Sequence, residues 1–136
     1  MKRMIIPAKT GELDKVVSFI EKELEANGCT MHIRLQLVVA AEEIFVNIAH
    51  YAYKAAPGEA EIQVSFEGQT KSVVISFIDS GIPYNPLWKA DPDITLDAGT
   101  RKIGGLGIYM VKKSMDQVLY EYKEGKNHLT LIKQIE

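Results

Sequence analysis

Cysteine is almost missing from this chain. Cys29 stands alone among 136 residues, which excludes an intramolecular disulfide framework and fits a reducing compartment. A surplus of one charge is missing as well. Sixteen Lys and Arg against eighteen Asp and Glu leave a net charge of −2, so no overall positive field draws the chain directly onto nucleic acid or an anionic membrane. The longest unbroken apolar run, Leu37 to Ala41, falls far short of the ~20 residues that span a bilayer. Met1 to Pro7 holds two basic residues but no apolar stretch of signal-peptide length, so a cytoplasmic location is expected. His32, His50 and His128 share no ligand spacing and Cys29 has no cysteine near it, which argues against a zinc site. Neither a P-loop nor a nucleophile elbow is present.

What is there is globular: 46% hydrophobic and 25% charged residues, in a length suited to one domain over residues 1–136. A short strand over Arg3 to Pro7 comes first. Leu13, Val16, Val17, Phe19, Ile20 and Leu24 then recur at the spacing of an amphipathic helix, starting near Thr10 or Gly11 and closed by Asn27-Gly28. A second helix, capped by Thr30, is expected to run to about Tyr53 or Lys54. It is apolar nearly all round, so it should be contacted on most sides. Glu59 to Glu67 and Ser72 to Ile78 read as an antiparallel hairpin around Gly68-Gln69-Thr70. From Gly81 to Ile103 the chain carries Pro83, Pro86 and Pro92 and little periodicity, the mark of a lid or binding loop. A helix beginning near Gly107 follows, then strands near Gln117 to Lys123 and His128 to Gln134 around a turn at Glu124 to Asn127. Hairpins rather than alternating units predict an α+β two-layer sandwich, a mainly antiparallel mixed sheet with helices on one face.

Three clusters hold the polar chemistry. Glu43 and Asn47 lie four apart, so they project from one helix face and can share a ligand. An Asn oxygen is a hard ligand suited to Mg²⁺, and a carboxylate beside it can take a proton from a hydroxyl. The same pair would also serve merely to cap neighbouring backbone. Asp79-Ser80-Gly81 ends a strand; it can receive an amine, and it is equally an ordinary turn. Gly104-Gly105-Leu106-Gly107 opens a helix, where exposed N–H groups suit phosphate but a hinge would look the same. A long polar loop precedes these glycines, which excludes a dinucleotide-binding βαβ unit.

Taken together, Glu43 to Asn47, Asp79-Ser80-Gly81 with Pro83 to Pro86, and Gly104 to Val111 resemble, in order and spacing, the three boxes of the Bergerat-fold (GHKL, histidine-kinase-like) ATPases. Within that superfamily the chain looks like the small anti-sigma-factor serine/threonine kinases. The resemblance implies ATP and Mg²⁺ as cofactors, with Asn47 on the metal and Glu43 as catalytic base. Asp79 would take the adenine amine, with Gly81 beneath the base and Thr130 supporting that site. Gly104, Gly105, Leu106, Gly107 and Ile108 would line the triphosphate, Tyr84 to Ile103 would form the ATP lid, and Arg101 and Lys102 would be the nearest cations. The implied partners are a small anti-anti-sigma (STAS-type) protein phosphorylated on serine, a sigma factor or other regulator, and a second copy in a homodimer. The chain departs from the family in having Tyr51-Ala52-Tyr53 where His-Ala-Tyr is common, and Leu106 where a basic residue is frequent. Competing readings are a module that binds ATP and sequesters a partner without transfer, and an interaction domain that binds no nucleotide.

Overall fold

In the computed structural model, residues 1–53, 56–69, 71–88 and 106–135 are described. Five strands form one sheet: β1 (Lys2–Pro7), β2 (Glu59–Glu67), β3 (Ser72–Asp79), β4 (Gln117–Lys123) and β5 (Lys126–Gln134). Their order is β1-β2-β3-β5-β4, and every neighbouring pair is antiparallel. Helices α1 (Leu13–Ala26), α2 (Met31–Asn47) and α3 (Leu106–Ser114) make the second layer, with α2 packed between the other two. The fold is the expected α+β sandwich. Among the described residues the sheet is wholly antiparallel rather than mixed.

Alternation decides which sheet face is covered. Val73, Ile75 and Phe77 on β3 and Leu129 and Leu131 on β5 are buried, while Val74, Ser76, Thr130 and Ile132 between them are half-exposed. The register sets Ile75 opposite Leu131, Phe77 opposite Leu129 and Asp79 opposite Asn127. The buried rows of both strands therefore end in a facing polar pair. On α1, Val16, Ile20 and Leu24 are buried at a spacing of four and lie in the same core as Phe45 of α2.

Three local details differ from expectation. The α-helical part of α2 ends at Asn47, and a π-helical turn, Ile48–Ala52, replaces the expected continuation to Tyr53 or Lys54. Such turns end with carbonyls that lack an intrahelical partner, and here the Ala52 carbonyl receives Ile82 N–H at 2.9 Å. Thr30 does occupy the N-cap position of α2, yet its side chain makes no capping hydrogen bond. The turn between β4 and β5 is shorter than expected. Glu124 (φ 54) and Gly125 (φ 76) both adopt left-handed angles, as a two-residue hairpin turn requires, so β5 begins at Lys126 and contains Asn127.

The second helix is not covered all round. Leu37, Ala41, Ile44 and Phe45 are buried, but Leu35 and Val39 face outward. No helix among the described residues is long and apolar enough to cross a membrane.

The two sides of α2 should respond differently to truncation. Phe45→Ala should cost about 3–5 kcal/mol, a typical loss for a fully buried aromatic. Val39→Ala should stay within about 0.5 kcal/mol, both read from urea unfolding midpoints. Equal losses would contradict the burial pattern.

Candidate active site

The site grows from the end of the buried strand rows. Asp79 and Asn127, both 6% exposed, are the buried polar residues of the described chain. A buried carboxylate or carboxamide is costly unless its hydrogen-bonding capacity is met. Asn127 meets all of its own. Its Nδ2 donates to Asp79 Oδ1 at 3.0 Å and to the Ile82 carbonyl at 2.8 Å. Its Oδ1 accepts from Tyr84 N–H at 3.2 Å and from the Tyr120 hydroxyl. Two donors and two acceptor sites are thus all used. Burial pushes the Tyr120 phenol above its ordinary 10.0, so it keeps its proton and remains a donor at neutral pH.

Asp79 Oδ1 also accepts from Gly81 N–H at 2.9 Å. With Oδ1 engaged twice, Oδ2 has no donor among the described residues and is the acceptor left for a ligand. The cavity that Asp79 lines has mainly apolar walls, including Ile44, Ile48, Phe77, Ile82 and Leu129, with Asn47 also on its lining. Apolar walls around one free carboxylate oxygen suit a flat heterocycle that carries an amine. The cavity measures about 50 Å³, room for a few waters rather than a purine. Ile82 and Tyr84, both exposed, stand on its lining.

Asn47 ends α2, one turn beyond Glu43, and its Nδ2 lies 3.5 Å from Glu43 Oε1. That leaves the Asn47 carbonyl oxygen without a donor among the described residues, free to act as a hard metal ligand. No cluster of three or more His, Cys, Asp or Glu side chains able to hold a metal occurs among the described residues. Asn47 fits Mg²⁺ in the manner of a cation held by one protein oxygen and the phosphates of its substrate. Glu43 lies over the head of α3. A Cβ on Gly107 would fall inside the Glu43 carboxylate, so the glycine is what permits the approach. The positive end of the helix dipole favours a carboxylate there.

The expected site residues separate into groups. Glu43, Asn47 and Gly107 come together, as do Asp79 and Gly81. Gly81, however, is demanded by the backbone: a Cβ there would collide with the Ala52 carbonyl group. Ile108 is 2% exposed within the hydrophobic core, so its side chain packs the helix instead of lining a triphosphate. Thr130 lies on the other face of the sheet, where its hydroxyl meets Ser76 Oγ at 3.2 Å. The strand's period of two turns it away from Asp79, and it is Asn127 that hydrogen-bonds Asp79. Of Leu106 only the backbone, as the first residue of α3, is described. Arg101, Lys102, Gly104, Gly105 and the lid from residue 89 onward lie outside the described residues. The signal for Asn127 was available: counting back by twos from Leu131 and Leu129 lands on it.

A buried Asp at the end of a central strand, an Asn and Glu one helical turn apart, and a glycine at the head of the next helix stand where the three boxes of the sequence place them. The comparison with known families agrees. The histidine kinase-like ATPase domain matches residues 6–133, and the chain belongs to that family. Among curated proteins it is similar to the serine/threonine-protein kinase BtrW of Bordetella bronchiseptica, at 28% identity over 100 residues, 73% of this chain and 69% of that protein.

Replacing Asn127 should disable the base pocket while Thr130 proves indifferent. Asn127→Ala strands two acceptors and two donors, so ATP affinity should fall at least about tenfold. Thr130→Val should leave it within about twofold. Titration of a fluorescent ATP analogue checks both, and the reverse ranking would return the support role to Thr130.

Proposed function

We propose that this chain is an ATP-dependent protein kinase that phosphorylates a serine on a small protein partner. The observation that carries the reading is the placement of Glu43, whose carboxylate rests over Gly107 at the head of α3, one turn from Asn47. A carboxylate there can take a proton from a hydroxyl that attacks phosphate, a step that a module only holding nucleotide does not perform. In this reading Asp79 Oδ2 accepts the adenine amine and the apolar walls exclude water from the base. Asn47 would hold Mg²⁺, which neutralises charge on the phosphates. Backbone N–H groups at the head of α3 orient the terminal phosphoryl group. Glu43 takes the proton of the incoming hydroxyl as its oxygen attacks phosphorus in line.

The similarity to a serine/threonine-protein kinase supports serine or threonine as the acceptor. The anti-sigma resemblance in the sequence supports an anti-anti-sigma (STAS-type) protein as substrate and a sigma factor or equivalent regulator as the sequestered partner, with the chain acting as a homodimer. Phosphorylation of the substrate would then release it and return the chain to the regulator.

Transfer of label from γ-labelled ATP to a small STAS-type protein encoded beside this gene is the direct test. Glu43→Gln should reduce transfer by about 10²–10⁴-fold, the usual worth of a general base, while ATP affinity changes less than about threefold. Transfer that survives the substitution would remove Glu43 from the mechanism. ATP binding by the unaltered chain without transfer would identify a sequestering module instead.

A further inference from the structure

Glu43 and Asn47 stand one turn apart on α2, yet they line different openings. Asn47 lines the narrow cavity that holds Asp79, whereas Glu43 lines a groove of about 680 Å³ between α2 and α3. Neither residue lines the other's opening. Among the described residues the groove is an open approach to the Glu43 carboxylate.

The groove is walled by apolar side chains left in water. Leu35 is 56% exposed, Val39 60% and Met110 of α3 53%. Leu35, Val39 and Glu43 follow one another at a spacing of four, so a single stripe leads from the apolar walls to the carboxylate. Glu42 and Glu43 both line the groove, and no Lys or Arg appears among its described lining residues. His32, Gln36 and Ser114 add polar groups among these apolar walls. A polypeptide with apolar side chains beside its hydroxyl, and a cation next to them, would match both the surface and its charge.

We infer that this groove seats the acceptor segment of the protein substrate. Apolar residues of that segment cover Leu35, Val39 and Met110, a flanking Lys or Arg pairs with Glu42, and a Ser or Thr hydroxyl ends at Glu43. The inference rests on the phosphotransfer reading above. In the step it serves, a bond forms between the hydroxyl oxygen and the γ-phosphorus. The bond from that phosphorus to the β–γ bridging oxygen breaks, the electron pair leaves on ADP, and the hydroxyl proton passes to Glu43.

The test uses an oriented library of serine peptides with γ-labelled ATP, applied to the unaltered chain, Val39→Glu, Leu35→Gln and Glu42→Lys. Thermal melting and ATP titration are measured on each, and Leu35→Gln guards against misfolding of the charged variant. The unaltered chain should select Leu, Met or Val and Lys or Arg around the serine. Val39→Glu and Leu35→Gln should lose at least tenfold in transfer with ATP affinity unchanged, and Glu42→Lys should lose the basic preference. Unchanged transfer and selection in all three variants would overturn the groove assignment and leave the kinase reading standing. If the unaltered chain labels an intact STAS-type partner but no peptide, the groove assignment falls and the kinase reading stands; if it binds ATP and labels neither, both fall. If Val39→Glu splits a dimer without affecting transfer, the face belongs to a second copy and the inference is wrong.

Discussion

One carboxylate, Asp79, carries the largest share of what the structure must satisfy. It sits at the end of a row of buried apolar side chains, where an unpaired charge would be costly. Asn127 across the ladder and Gly81 N–H both engage Oδ1, and this leaves the other oxygen for a ligand. The same carboxamide also anchors the Ile82 carbonyl and Tyr84 N–H. The segment 82–84 is therefore tied to Asp79 through Asn127. Tyr53 adds a tie from below, its hydroxyl receiving Ser80 N–H at 2.8 Å. The ends of β3 and β5 and the segment 82–84 thus meet at one buried polar pair.

The helix α2 divides the chemistry. Its C-terminal turn meets the base cavity through Asn47, and the preceding turn meets the outer groove through Glu43. The α3 helix closes the arrangement because Gly107 has no side chain to keep Glu43 away. In the proposed mechanism, proton acceptance and metal binding fall to two residues on one helical face that border different openings. The proposed in-line transfer would bring nucleotide and acceptor to phosphorus from opposite sides.

Much of this was legible without coordinates, because periodicity is written in the residues themselves. The alternation Val73, Ile75, Phe77, Asp79 places the carboxylate inward, and the spacing of Glu43 and Asn47 places them on one helical face. The errors came from turns and parity. Glu124-Gly125 completes the hairpin turn alone, so Asn127 belongs to the strand, and Thr130, three residues further on, must face the opposite side. Gly81 shows another limit: its need for close approach is set by the Ala52 carbonyl, a contact that no local pattern reveals. The exposed stripe of Leu35 and Val39 was hidden for a similar reason. An all-round apolar composition does not say which side the neighbouring helices leave open.

The free oxygen of Asp79 is tested most directly by comparing the Kd of ATP with that of inosine triphosphate. Inosine replaces the exocyclic amine with a carbonyl oxygen and carries a proton on N1. A carboxylate accepting that amine should bind ATP between about ten and a hundred times more tightly, the worth of a hydrogen bond to a charged group. Equal affinities for the two nucleotides would contradict the account.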